Sequence, residues 1–234
     1  MVGLASVAVE QMDLMLRLAG STLRGLREAA LRCLRFLKLT QAMRVRLEQL
    51  AVQHPESTDT FRAILHPASL KTARPPIEDT QAWLRVLAAI AVPSDKESGR
   101  RIFQQTRLVR CSNCHRYRGR GKVVGPDLSN VSLSQDLQRL LESILQPGRQ
   151  MAPEYQPRTI QLRDGRTMTG IRLRSPTSEV LRDANGENRR FNRDDIESMV
   201  QSTTSFMPAG LASRLTLREL RDLLAFLQDP QDVP

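Results

Sequence analysis

A chain of 234 residues, 40% of them hydrophobic, has enough apolar material for one or two packed domains, which excludes a disordered tail. Aromatic residues make up only 4%, so the cores must rest on Leu, Val, Ile, Ala and Met, a composition that leans towards packed helices. The net charge of +10 favours an anionic partner, and three cysteines exclude a disulfide framework.

The charge is uneven along the chain. Residues 93–150 carry 11 basic and 5 acidic groups, or +6, and residues 1–92 carry 12 and 8, or +4. Residues 151–207, with 9 and 8, and 208–234, with 3 and 4, are nearly balanced. The opening MVGLASVAV is apolar, but no basic segment precedes it. Glu10, Gln11 and Asp13 interrupt it too soon for a signal core or a membrane span. No later stretch is long enough to cross a bilayer.

Residues 1–92 read as a run of helices resembling the end of an α-solenoid, without a clean fixed-period repeat. Over Ser21–Leu39 an apolar stripe is expected at Leu23, Leu26, Ala30, Leu34 and Leu37, with Arg24, Arg27, Arg35 and Lys38 off it. Further helices are expected over Thr40–Val52, from Ser57 and over Ile77–Val92, with a loop across His66–Pro76. Pro93 opens a new unit. Capping boxes are predicted at Ser94/Glu97, Ser132/Gln135 and Thr216/Glu219. The second begins a helix burying Leu137, Leu140, Leu141, Ile144 and Leu145 that stops at Pro147-Gly148. The third begins one with Leu220, Leu223, Leu224 and Leu227 on one face. Between them the period becomes alternating, and Asp164-Gly165 and Asn185-Gly186 mark two hairpins. Four or five short strands in that stretch predict a small β-barrel or curled sheet.

The densest chemistry lies in CSNCHRYRGRGKVVGPDL, residues 111–128. Two thiols three residues apart, followed at once by a histidine, suit a redox dithiol, half a zinc site or a c-type haem. A redox dithiol needs a strand before it and a helix after it, whereas a helix and an Arg-rich loop flank this motif. Structural zinc needs four ligands, and Cys33, His54 and His66 are scattered through the helical N-terminal region. For haem, the two thiols lie on one side of a turn and reach two vinyl groups, and the next residue turns its imidazole to the iron. The five-residue pattern by itself leaves these readings open.

Its context narrows them. A helix with Gly99 and Phe103, C-x-x-C-H, a Gly-rich loop, G-P-D-L and a Met-Pro before a Leu-rich helix follow the order found in cytochromes c. The chain resembles the cytochrome c-like haem-binding domain of planctomycete and verrucomicrobial proteins. The resemblance rests on SGRRIF (98–103), residues 111–128, LLESILQPG (140–148) and APEYQ (152–156). It extends to the Asp164-Gly165 strand pair, DDI (194–196), SFMPAGL (205–211) and LTLRELRDLLAFL (215–227). It spans residues 94–228, and a helical-repeat segment often precedes such units.

The resemblance implies that Cys111 and Cys114 anchor one covalent haem c and that His115 is the proximal iron ligand. The Pro126 carbonyl would accept the His115 Nδ1–H and fix the ring. Gly99 and Phe103 should cross the last helix at Leu223 and Phe226. Met207, followed by Pro208 and Gly210, is the expected sixth ligand, with Met151 next in line and Met168 and Met199 assigned to strand packing.

Other residues draw plainer readings. Cys33 is expected to be a packed, inert thiol, His54 and His66 solvated loop histidines, and Trp83 a core residue. Arg116, Arg118, Arg120 and Lys122 should neutralise haem propionates or face an acidic redox partner rather than nucleic acid. The fold expected is mainly α: an α-helical repeat-like region over 1–92, a cytochrome c-like domain over 93–150 and 204–234, and a β-rich insertion over 151–203. No nucleophile–base pair or two-carboxylate site stands out. An electron-transfer module, alone or within a larger oxidoreductase, is therefore expected rather than an enzyme. Haem c is attached outside the cytoplasm, yet no export signal is visible. Either the start of the chain is misplaced or, as the resemblance implies, it belongs to a longer exported polypeptide in a periplasmic or otherwise extracytoplasmic setting. The rival readings are a zinc- or nucleic-acid-binding module using the basic loop, and a haem sensor or peroxidase with an open sixth site.

Overall fold

Short polar signals set where the N-terminal helices begin, and buried pairing decides which way they face. The computed structural model describes residues 2–71, 74–105 and 107–230. Helices α1 (Val2–Ala19), α2 (Arg24–Leu34), α3 (Gln41–Gln53) and α4 (Thr58–Leu65) pack around Leu31, Leu34, Leu47, Leu50 and Phe61. Thr40 caps α3 by accepting the Met43 N–H at 3.3 Å.

The expected stripe on α2 is turned. Leu23, Leu26 and Leu37 are 64%, 47% and 40% exposed, whereas Arg27 is buried with Ala30, Leu31 and Leu34. Arg27 can occupy a core place because its donors are matched. Nε meets Ser57 Oγ at 2.9 Å, Nη1 meets the Ser21 carbonyl at 2.6 Å, and Nη2 pairs with Glu56. The same rotation leaves Cys33 exposed rather than packed. His54 is not a solvated loop residue either: its Nε2 lies 3.2 Å from the Gly20 carbonyl and its Nδ1 3.6 Å from Glu56. His66 is exposed.

A larger core forms from α5 (Thr80–Ala88), α6 (Lys96–Gln105), the single turn α7 (Val131–Ser134), α8 (Leu137–Leu145) and α9 (Leu217–Leu227). Trp83 and Leu87 of α5, which precede Pro93, belong to this core as well. Two of the three expected caps differ. Asp95 caps α6 by accepting the Ser98 N–H at 2.9 Å, while its own N–H donates to Asp222 at 2.9 Å. That tertiary bond selects Asp95 over Ser94. Asp136 caps α8 through the Arg139 N–H at 2.8 Å, and Leu137, in the first turn, is 43% exposed. On α9 both bonds of the Thr216/Glu219 box are present, at 3.1 and 2.8 Å.

Helices α6 and α9 cross at Gly99, where a Cβ would stand 2.0 Å from the Asp222 carbonyl oxygen. The crossing lets Phe103 meet Phe226 with ring centroids 5.7 Å apart, and Tyr117 meets Phe226 at 4.5 Å. Gly99→Ala is expected to lower the stability of the full chain by about 3 kcal/mol, because two helix backbones would have to separate. Urea unfolding followed by circular dichroism reads this; a change below about 1 kcal/mol would show that the contact is slack.

The alternating segment forms five antiparallel strands, β1 (Pro157–Leu162), β2 (Thr167–Leu173), β3 (Glu179–Arg182), β4 (Asn188–Phe191) and β5 (Ile196–Gln201). Their order is β4-β3-β2-β1-β5. Gly165 (φ 85°) and Gly186 (φ 88°) supply the left-handed backbone that the two hairpin turns require. The sheet does not close into a barrel. Its outer strand β4 presents Arg189 and Arg190 to solvent, a polar edge that does not invite further pairing.

Candidate functional site

Cys111–Asn113 makes one tight turn, in which the Cys114 and His115 N–H groups both donate to the Cys111 carbonyl, at 3.1 and 2.9 Å. The following loop folds back over that turn. Lys122 N–H donates to the Ser112 carbonyl at 2.9 Å, and the Val124 and Gly125 N–H groups donate to that of Cys114 at 2.9 and 2.8 Å. The return is possible because Arg118 and Gly119 take positive φ (48° and 76°) between the paired Tyr117 and Arg120. A side chain at Gly121, also at positive φ, would meet the His115 carbonyl at 2.3 Å.

The loop's end holds the imidazole. His115 Nδ1 lies 2.9 Å from the Pro126 carbonyl oxygen. A carbonyl only accepts, so Nδ1 carries the proton and Nε2 keeps a free lone pair. Gly125 lies against the ring, and a Cβ there would stand 2.5 Å from Cε1. Burial lowers the His115 pKa, opposed by the Pro126 carbonyl, which keeps the ring neutral and able to ligate. Burial pushes the Cys111 thiol up to about 12. Burial also raises Cys114, with Lys122 opposing it. Both thiols are therefore protonated near neutrality.

Cys111, Cys114 and His115 face a cavity of about 330 Å³ whose far walls include Leu140 and Ile144 of α8 and Leu223 and Leu227 of α9. Met207 and Met151 both line it, whereas Met168 and Met199 pack on the small sheet core, as their alternation suggested. The β-rich segment contributes Tyr155 and Ile171. It is also tied to the cysteine loop: Arg182 Nη1 donates to the Val123 carbonyl at 2.5 Å and Lys122 Nζ to that of Asn185 at 3.0 Å. Gly125 lies in the G-P-D-L motif, Tyr155 in APEYQ and Ile171 in the alternating strand pair, but nothing in their spacing points to the cavity.

Among the described residues no Arg or Lys lines this cavity. The positive-φ turn carries Arg118 and Arg120 to the surface. Arg118 lies 5.4 Å from the Tyr117 ring centroid, and with Arg120, Lys96 and Arg100 it borders a separate surface cleft. The zinc alternative gains no support. Among the described residues, no group of three or more His, Cys, Asp and Glu side chains could hold a metal ion.

The donor set fits a c-type haem. Two thiols and a neutral imidazole with its outer nitrogen satisfied adjoin an apolar cavity with thioether sulfurs in its lining, and Gly125 leaves the ring room. Residues 97–200 match the family model described as Cytochrome c. None of the curated proteins matches the chain. The match supports a cytochrome c-like domain, and a haem-binding electron-transfer role is what that family implies. It includes Cys111, Cys114, His115, Pro126 and strands β1 to β4, ends within β5, and stops short of Met207. Among the described residues no helix is long and apolar enough to cross a membrane.

Proposed function

We propose that this chain is a one-electron carrier holding a single haem c between His115 and Met207, with Cys111 and Cys114 as its thioether anchors. Haem c, when bound, supplies a ferric–ferrous couple. The protein's part is to bind, orient and desolvate. The observation that carries the reading is the His115 ring, fixed by the Pro126 carbonyl at 2.9 Å on the wall that also bears both thiols, with Met207 in the same cavity lining. The Pro126 bond sets the tautomer and the ring's direction. Leucines of α8 and α9 and the Tyr155–Ile171 wall keep water from the site.

In this reading residues 93–150 and 204–234 are the haem unit, to which α5 lends Trp83 and Leu87, and residues 151–203 are an insertion that closes one side of the cavity. Residues 1–92 form the helical, repeat-like region, and the motif order supports the planctomycete and verrucomicrobial type. The cleft bordered by Arg118, Arg120, Lys96 and Arg100 suits an acidic redox partner, although Glu97 and Asp229 offset part of its charge. Since thioether attachment occurs outside the cytoplasm, the working site is extracytoplasmic.

The test is whether haem stays on the polypeptide after denaturation when the chain is exported alongside a haem c maturation system. Retention is expected, with one haem per chain. Colour that extracts freely, or bound zinc in its place, would sink the reading.

A further inference from the structure

The segment carrying Met207 has little regular structure of its own. It runs from the end of β5 through the turn at Gly210 (φ 77°) and a single 3-10 turn, Ala212–Arg214, into α9. Its internal bonds are local: Met207 N–H to Ser205 Oγ at 3.1 Å, and Ser213 N–H and Oγ to the Gly210 carbonyl at 3.1 and 2.7 Å. Such bonds shape a loop without attaching it to anything.

Burial of Leu211, Ala212 and Leu215 seats the far end of the loop in the larger core, and a hydrogen-bonded attachment comes from a residue 133 positions earlier, 207 − 74. Arg74 Nη1 donates to the Ala212 carbonyl at 2.7 Å and Nη2 to the Leu215 carbonyl at 2.5 Å. Ala212 and Leu215 are 4% and 0% exposed, so without Arg74 the Leu215 carbonyl would lose the partner described for it and that of Ala212 would keep only the Leu215 N–H. The fork of a guanidinium matches two carbonyls three residues apart in a way an ammonium cannot.

Arg74 is itself held. Its guanidinium lies 5.6 Å from the Trp83 ring centroid, and the Trp83 indole N–H donates to the Pro76 carbonyl at 3.0 Å. A turn further along α9 the same region attaches again, through Arg35 to Glu219 at 2.9 Å and through Arg218 to the Glu56 carbonyl.

We propose that Arg74 is a positioning residue for the Met207 loop: the helical region that precedes the haem unit reaches across and clamps the segment that presents the sixth ligand. This rests on the assignment of Met207 as that ligand. Arg74 has no part in ligation; it narrows the loop to the arrangement in which Met207 lines the cavity.

The experiment compares the full-length haem protein with Arg74→Met, which keeps an apolar stem beside Trp83, and with Arg74→Lys. Three readouts serve: the Met–iron charge-transfer band, carbon monoxide binding by the ferrous protein, and amide exchange at residues 211–215 in holo and haem-free chains. Losing both bonds should raise loop exchange and carbon monoxide access by about tenfold or more in Arg74→Met, with Arg74→Lys between it and wild type. An unchanged band with carbon monoxide still excluded overturns the proposal. If wild type itself lacks the band, the Met207 assignment fails separately. Loop exchange in the haem-free chains then decides: unchanged exchange overturns the clamp, and a rise upholds it. Should Arg74→Met fail to fold, Arg74→Lys carries the same criteria.

Discussion

Met207→Ala is expected to turn a closed iron site into an open one. Met207 lines the cavity that Cys111, Cys114 and His115 border, and it packs against the larger core, so its removal takes away a ligand and leaves a void. The variant should lose the Met–iron charge-transfer band, bind carbon monoxide in the ferrous state and show a lower reduction potential, because a thioether favours the reduced iron. Covalent attachment should survive, since neither thiol is touched. Met151 lines the same cavity and is the internal comparison. If Met207→Ala keeps the wild-type spectrum and excludes carbon monoxide while Met151→Ala does not, the ligand is Met151.

The second large effect is expected at a residue that binds nothing. A Cβ at Gly125 would lie 2.5 Å from His115 Cε1 and 2.9 Å from Nδ1. The His115 ring cannot simply swing aside, because Nδ1 is held by the Pro126 carbonyl. Gly125 does not take positive φ, so alanine carries no backbone penalty there and the collision is the whole effect. Gly125→Ala should displace the ring from Pro126 and cut the haem-to-protein ratio by about tenfold. In the haem-free chain the imidazole Nδ1–H signal should shift or vanish. Gly148→Ala, whose nearest described neighbour is the Thr203 carbonyl at 3.7 Å, is the matched control and should load normally. Equal loading of the two variants would mean that the ring is free to move.

Much of the site was legible because its chemistry is local in sequence. Cys111, Cys114 and His115 sit within one turn, and Pro126 follows at the end of the loop that turn generates; short-range geometry decides both. The Asp-Gly and Asn-Gly hairpins and the Thr216/Glu219 box were legible for the same reason, since each is satisfied by neighbours a few residues away.

What the sequence could not decide was anything settled by a partner far along the chain. Asp95 rather than Ser94 caps α6 because Asp222 receives its N–H. Arg27 enters the core because Ser57 and Glu56 meet it from another helix, and that rotation exposes Cys33. Arg118 and Arg120 of the cysteine loop follow its left-handed turn to a separate surface cleft that they share with Lys96 and Arg100 of α6. The strand order leaves β4 and β5 as the two edges of an open sheet, with the arginines of β4 facing solvent. Chain order alone determined the thiols, the imidazole and the helical scaffold around them, since hydrogen bonds and spacing within a few residues are enough for each. Tertiary structure alone decided how the walls of the cavity close, with Ile171 brought in from a strand and the segment of Leu215 held from behind by Arg74. The physical reason is that burial of a polar or apolar group is paid for by whatever meets it, and nothing in the spacing of residues says what that will be.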